Sequence, residues 1–176
     1  AERLKLLNRA LLKKLRPGPL GRVKLAELLD ELIVGFQRRH PGTHVTTSFG
    51  NLAESHGEAT DLTLYRCIQE GITNAIRHGK AEHLTVDLAE EPAPRRSGKR
   101  SSAKLCLCIG DDGKGIAPAT PKGFGLSTMT ERVRSLGGSC TIESAPSKGT
   151  MIHVEIPVQH TSADKPRVPE LVGEMS

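Results

Sequence analysis

A chain of 176 residues, 36% hydrophobic and 26% charged, can bury one sizeable core, the length of a single domain with appendages. No apolar run approaches the roughly 18 residues needed to cross a bilayer, and the start has an amphipathic pattern instead of a leader pattern, so neither a membrane span nor a secretory signal is expected in this stretch. The net charge of +5 is concentrated in PAPRRSGKRSS, where Arg95, Arg96, Lys99 and Arg100 crowd together; with one Tyr, three Phe and no Trp there is little for bases to stack on, and nucleic acid is not an expected partner.

In chain order, ERLKLLNRALLKKL has helical apolar spacing and stops at RPGP, where two prolines and a glycine break it. A second helix is predicted from about Lys24 to Arg39, with Leu25, Leu28, Leu29, Leu32, Ile33 and Phe36 as its buried stripe, ended by PGT. His44 to Phe49 alternates like a strand, Asp61 to His78 reads as a third helix, and Leu84 to Leu88 as a strand. A basic loop over 91–102 leads to the strand LCLCIG, which runs directly into DDGKG. The turn-rich IAPATPKGFG precedes a fourth helix, GLSTMTERVRSLGG, and the closing strands SCTIESA and TMIHVEIP are separated by PSKG, a hairpin signal. After His160 the composition is that of a loose tail. Three helices after the first segment and five strands predict an α/β fold: a two-layer α/β sandwich, one mixed sheet with helices on one face.

Four cysteines, at 67, 106, 108 and 140, show no CxxC spacing. They read as buried free thiols, with Cys106 and Cys108 on one face of a strand, in keeping with a reducing compartment.

Three pieces carry chemistry. In CIQEGITNAIRHG, Glu70, Asn74 and His78 recur every four residues and stack an acid, an amide and an imidazole in one stripe. Polar residues on a helix surface need no task, but Gly71 and Gly79 weaken this helix, by up to ~1 kcal/mol at an interior position, and Asn is a poor mid-helix residue, so helix stability alone does not explain the stripe. Amide and carboxylate oxygens suit Mg²⁺, which takes one or two protein groups together with substrate phosphates. In IGDDGKGI, Asp111 stands where an apolar strand gives way to a flexible turn, able to accept a hydrogen bond from the exocyclic amine of a base, while Gly113 and Gly115 let backbone pass close to a flat ligand. KGFGLSTMTERV opens a helix behind glycines, so free amides and the positive end of the dipole face whatever sits at its start, an arrangement suited to phosphate. Neither GxxxxGK[ST] nor GxGxxG is present, which argues against P-loop and dinucleotide-binding designs.

In this order QEGITNAIRHG resembles the N box, DDGKG the G1 box and GFGLSTMTERVRSLGG the G2 box of the ATP-binding catalytic domain of sensor histidine kinases. The GxGLxxMxERVxxLGG form and the closing GTMIHVEIP are similar to the subfamily typified by nitrate and sugar-phosphate sensors, over about Leu11 to Pro157. The resemblance implies the Bergerat ATP-binding fold and the cofactors ATP and Mg²⁺. It assigns Asn74 to the metal and Glu70 to the metal's water shell or its support, Asp111 to the adenine amine, and Gly113, Gly115 and Ile116 to the adenine pocket. Arg77, His78 and Lys122 would lie near the phosphates, Gly123, Gly125 and Leu126 would form the base of the ATP lid, and Thr150 would support adenine through its hydroxyl or a bound water. Ile68, Ile72 and Ala75 would be the pocket floor.

The resemblance further implies that 1–20 is the end of a dimerisation helix and its linker, 21–160 the catalytic domain and 161–176 a tail. The implied activity is ATP-dependent phosphorylation of a histidine on a dimerisation domain, of the same or a partner protomer, for transfer to a response regulator. A cytoplasmic setting and a dimeric full-length protein follow from the same resemblance, with membrane attachment only through upstream segments. None of His40, His44, His56, His78, His83, His153 or His160 has the helical, acid-flanked context of the family's phosphoacceptor, so the chain is expected to be a piece of a longer kinase, or a kinase relative that lost its acceptor. The alternative weighed against this is an anti-sigma-like or chaperone-like ATP module whose output is conformational.

Overall fold

The computed structural model describes residues 24–92, 103–117 and 123–158. The first helical segment, the basic loop, Lys122 and the tail fall outside them. Helix α1 (Leu25–Arg39) is followed by β1 (His44–Phe49), α2 (Glu58–Asn74) continued by a π-helical turn (Ala75–Gly79), β2 (His83–Glu91), β3 (Lys104–Asp111), α3 (Phe124–Ser135), β4 (Ser139–Ser144) and β5 (Thr150–Pro157).

The strands form one sheet in the order β1-β2-β3-β5-β4. The β1–β2 pair is parallel and the others are antiparallel, so the sheet is mixed. Alternation decides which face is covered. Leu84, Val86 and Leu88 of β2, Leu105, Leu107 and Ile109 of β3, and Ile152, Val154 and Ile156 of β5 are all buried, while Thr85, Asp87, His153 and Glu155 between them are exposed. The buried face meets the apolar stripes of the helices in one core, with Leu28, Leu29, Leu32 and Ile33 from α1, Leu64, Ile68 and Ile72 from α2, and Met129 and Val133 from α3. The predicted stripe of α1 is buried as read.

Gly71 explains why the mid-helix glycine is retained despite its cost to the helix. A Cβ there would stand 2.9 Å from Cδ1 and 3.2 Å from Cγ2 of Ile109, so α2 lies on the sheet so closely that any side chain at this position requires Ile109 to give way.

Several boundaries differ from the sequence reading, each for a tertiary reason. Helix α2 begins at Glu58, before Asp61. Asp61 is buried, and its carboxylate accepts from Ser55 Oγ at 2.5 Å and the His56 amide at 3.0 Å, tying the preceding loop to the first turn. Strand β2 extends to Glu91 because Ala89, Glu90 and Glu91 find partners in Cys106, Leu105 and Lys104. Lys104 ion-pairs with Glu91 at 3.3 Å and with Glu155 at 2.5 Å, which raises its pKa above the ordinary lysine value. None of the four cysteines is in a disulfide, but only Cys67 is buried, its thiol pushed up to about 12 by desolvation; Cys106, Cys108 and Cys140 are half-buried. Cys106 and Cys108 share a face, as alternation requires, and it is the sheet face the helices leave uncovered, which corrects the expectation of four buried thiols.

Candidate nucleotide site

The three motif segments converge on one cavity of about 840 Å³. Its walls are the C-terminal part of α2 with the π turn, the loop leaving β3, the start of α3 and the β4–β5 hairpin. Glu70, Asn74 and His78 all line it, so the stripe is one wall of the cavity. Helix α2 becomes π-helical at Ala75, and Lys80 closes the turn in the left-handed region with φ 54°. The Gly79 carbonyl there accepts the Lys114 amide at 2.9 Å, joining the helix end to the glycine-rich loop.

At one end of the cavity the two aspartates of DDGKG part company. Asp111 is the last residue of β3 and faces the cavity, half-buried, with the Gly113 amide donating to its Oδ1 at 2.8 Å. Burial raises its pKa above the ordinary carboxylate range, against the opposing pull of hydrogen bonds from Gly113 and Thr150. Asp112 faces away. Its Oδ1 accepts the amides of Glu82 and His83, each at 2.9 Å, and its Oδ2 lies 2.8 Å from His83 Nδ1. The hydrogen bonds from His83 hold its pKa below the usual range. One aspartate is presented to a ligand and its neighbour fastens the loop to the start of β2. Gly115, at φ +67°, carries the loop past the β4–β5 hairpin where a Cβ would overlap the Ala145 carbonyl.

At the other end, Asn74 Nδ2 donates to Glu70 Oε1 at 2.9 Å. That bond uses the amide's donor side and leaves its oxygen, with the second carboxylate oxygen, as hard acceptors on a half-buried wall. Among the described residues no group of three or more His, Cys, Asp or Glu could hold a metal ion. Two oxygen donors fit Mg²⁺ in the way that ion binds beside phosphates, with most of its coordination supplied by ligand and water. Opposite stands the start of α3. Gly123 is its N-cap and provides no side-chain cap, so the first-turn amides are available to an anion, and Gly123, Phe124, Gly125 and Leu126 all line the cavity. Gly125 passes directly against the Glu70 carboxylate, where a Cβ would collide with it.

Of the residues singled out in the sequence, Glu70, Asn74, His78, Asp111, Gly115, Ile116, Gly123, Gly125, Leu126 and Thr150 line the cavity. Gly113 does not, but it secures Asp111 from beneath. Arg77 is exposed and outside the lining, and Lys122 lies outside the described residues. Of the floor expected, Ala75 lines the cavity and the two isoleucines do not. Ile68 and Ile72 are fully buried in the core, and the apolar base of the cavity is made by Gly71, Ala75, Leu126, Ile142 and Ile152. The helix rotates by about 100° per residue, so the face beside Glu70 and Asn74 is that of Gly71 and Ala75. Lys114, within DDGKG but given no role there, also lines the site, as do Ser144 and Pro146, which carried no signal in the sequence. The pairing of β5 with β3 brings the β4–β5 hairpin to it.

A mixed sheet covered by helices on one face, with a cavity offering a carboxylate at one end and uncapped helix amides facing two oxygen donors at the other, defines a nucleotide-binding α/β sandwich. Residues 59–160 match the family described as histidine kinase-, DNA gyrase B- and HSP90-like ATPases. The chain belongs to that family. It is 33% identical over 155 residues to the signal transduction histidine-protein kinase/phosphatase UhpB of Salmonella typhimurium, covering 86% of this chain and 28% of that protein. It is also 34% identical over 152 residues to the sensor histidine kinase LiaS of Bacillus subtilis, covering 85% of this chain and 39% of that protein. The chain thus spans between about a quarter and two fifths of these relatives. Among solved structures, the ATP-binding domain of PrrB from Mycobacterium tuberculosis superposes with a TM-score of 0.57 at 19% identity, over 78% of this chain and 96% of that one. The histidine kinase domain of a blue-light-activated kinase from Erythrobacter litoralis gives 0.58 at 18% identity, over 77% and 65%. Both confirm the fold.

Proposed function

We propose that this chain is the catalytic ATP-binding part of a longer sensor histidine kinase, binding ATP with Mg²⁺ and delivering the γ-phosphate to a histidine on a dimerisation domain, for onward transfer to a response regulator. The observation that carries the reading is the single cavity in which Asp111, the Glu70–Asn74 pair and the open start of α3 face one another. Asp111 accepts from the adenine amine. The apolar base contributed by Ile142, Ile152 and Leu126 takes the ring, and the first amides of α3 receive the phosphates. Asn74 and Glu70 hold the metal, which when bound neutralises charge on the phosphate oxygens. His78 stands on the cavity wall at the phosphate end, while for Arg77, exposed on the π turn, and for Lys122 a phosphate role rests on the motif resemblance alone. Positioning accounts for most of the acceleration in such a transfer, and the nucleophile and its base belong to the acceptor helix.

In this reading residues 1–20 are the end of the dimerisation helix and its linker, 21–160 the catalytic domain and 161–176 a tail, in a protein that is dimeric when complete and works in the cytoplasm. Among the described residues no helix is long and apolar enough to cross a membrane.

The chain incubated with γ-labelled ATP and Mg²⁺ is expected to bind nucleotide without becoming labelled. A separately supplied dimerisation helix bearing the acceptor histidine is expected to acquire acid-labile, base-stable phosphate. Stoichiometric label on the chain itself, lost in His78→Gln, would overturn the assignment of His78 and the placement of the acceptor elsewhere.

Replacing Asn74 by Ala is expected to weaken nucleotide binding far more in Mg²⁺ than in chelator, because the metal loses a protein oxygen while the adenine contacts remain. Titration of a fluorescent ATP analogue under both conditions measures this. Equal losses would point to damage to α2 in place of a metal role.

A further inference from the structure

Beside the glycine-rich loop, but outside the nucleotide cavity, two imidazoles meet at the end of the sheet. His44 opens β1 and His83 opens β2, and parallel pairing sets them directly side by side. Their ring centres stand 5.6 Å apart, with the planes inclined by 26°. Neither lines the cavity, and both side chains are exposed, that of His83 by 67%. The core does not need the pair and the nucleotide reading does not use it.

Asp112 decides which nitrogen of His83 is available. Its Oδ2 lies 2.8 Å from Nδ1, and its Oδ1 accepts the amides of Glu82 and His83 at 2.9 Å each, contacts that favour the ionised carboxylate. An ionised carboxylate only accepts, so the neutral imidazole carries its proton on Nδ1 and its lone pair on Nε2. Asp112 follows β3 and His44 belongs to β1, so in the order β1-β2-β3 they flank His83 from opposite sides. The two ring nitrogens point to opposite sides of the ring, and Nδ1 engaged on the β3 flank leaves Nε2 turned to the flank of His44. A carboxylate prepares a histidine for a metal in this way, by fixing the tautomer and raising the basicity of the other nitrogen. The spacing fits too. An imidazole nitrogen binds Zn²⁺ at about 2.0–2.1 Å, which places two ring centres on one ion roughly 5–6 Å apart. The exposed His44 side chain can turn a nitrogen to the same point.

We propose that His44 and His83 form a surface site for a divalent transition ion of the kind imidazole prefers, Zn²⁺, Ni²⁺ or Cu²⁺, with Asp112 as the positioning residue behind His83. No described cluster supplies three or more His, Cys, Asp or Glu ligands, and here two imidazoles hold the ion while water takes the remaining positions. Ligand type separates this ion from one at Glu70 and Asn74, since Mg²⁺ takes oxygen. An ion on Nε2 withdraws charge from the ring and strengthens the Nδ1 donor to Asp112, whose carboxylate fastens the loop that presents Asp111. Occupation of the site therefore tightens that loop. The site stands independently of the nucleotide reading.

The test is calorimetric titration of Zn²⁺ and Ni²⁺ into the tag-free chain, in excess Mg²⁺ and without nucleotide, with thermal unfolding measured with and without metal. The wild type is compared with His44→Gln, His83→Gln, Asp112→Asn, the His83→Gln/Asp112→Asn double variant and, as a control on the uncovered sheet face, His153→Gln. Wild type and control are expected to bind with equal affinity and to unfold at a higher temperature when metal is present. His44→Gln and His83→Gln are each expected to weaken binding by at least about tenfold, and Asp112→Asn by about tenfold, the scale for losing a carboxylate behind a metal-bound histidine. In the His83→Gln background Asp112→Asn is expected to change metal affinity no further, which separates positioning from general damage to the loop. Should His83→Gln fail to fold, His44→Gln decides alone, because its exposed side chain is removed from solvent and not from the core. Full affinity in folded His44→Gln, an equal loss in the control, or a wild type that binds neither ion would overturn the proposal and leave the nucleotide reading untouched. Unchanged affinity in Asp112→Asn would overturn the part given to Asp112.

Discussion

Replacing Asp111 by Asn is expected to weaken ATP binding by about 1–3 kcal/mol, roughly 5- to 150-fold, and to blur the preference for ATP over GTP, while leaving the empty domain as stable as before or slightly more so. The affinity loss follows from chemistry: an amide donates as well as accepts where only acceptance matches an amine. The stability follows from the sign of the pKa shift. Burial raises the pKa of Asp111, so its contribution to stability is complete below the ordinary carboxylate range and is lost as pH rises through the raised value. At neutral pH the ionised side chain therefore opposes folding, and Asn removes that opposition. Asp112→Asn has the reverse signature. The pKa of Asp112 is lowered, so its stabilisation is present above the ordinary carboxylate range and lost as pH falls through the lowered value. The variant is expected to be less stable at pH 7 and to converge on the wild type in acid. The deficit should be under about 1 kcal/mol, because the side chain is half exposed and screened. Nucleotide competition together with thermal unfolding over a pH series checks both. A shared loss of affinity with no difference in stability would remove the division of labour between the two aspartates.

Gly71→Leu is expected to destabilise the domain by about 1–3 kcal/mol or more and to abolish nucleotide binding. The new side chain would meet Ile109 at the tightest contact between α2 and the sheet, and Gly71 also lines the cavity, so displacement of the helix moves Glu70 and Asn74 with it. Intrinsic propensity acts the other way, since Leu gains about 1 kcal/mol over Gly within a helix, and the expected net loss therefore understates the packing cost by that amount. Gly71→Ala sits near the balance of the two effects. Combining it with Ile109→Val, which removes the Cδ1 atom 2.9 Å from the new Cβ, is expected to recover stability beyond additivity. Denaturant unfolding of the single and double variants reads the coupling. A Gly71→Leu protein as stable as the wild type would show that α2 is free to shift, against the close approach described here.

The sequence alone determined the elements and their burial, because these follow from local periodicity: the α1 stripe from Leu25 to Phe36, the alternation in LCLCIG and TMIHVEIP, and the hairpin at PSKG are set by spacings that one stretch of chain contains. It also marked the chemistry-bearing segments, since an acid, an amide and an imidazole four residues apart and glycine clusters after a strand and before a helix are visible without a fold. What it could not decide was anything requiring two distant segments at once. The expected pocket floor held Ile68 and Ile72 beside Ala75, and only docking of α2 on the sheet turned the two isoleucines into the core and gave Gly71 to the cavity along with Ala75. DDGKG at a strand end marked Asp111 as the ligand-facing aspartate but left its neighbour without a role. That role, clamping the loop, was set by the amides of Glu82 and His83, some 30 residues earlier. Ser144 became part of the site because β5 lies between β3 and β4, which sets Ser144, Thr150 and Asp111 in one row. Sheet order is a property of non-local pairing, and the local pattern of a strand does not encode its neighbour.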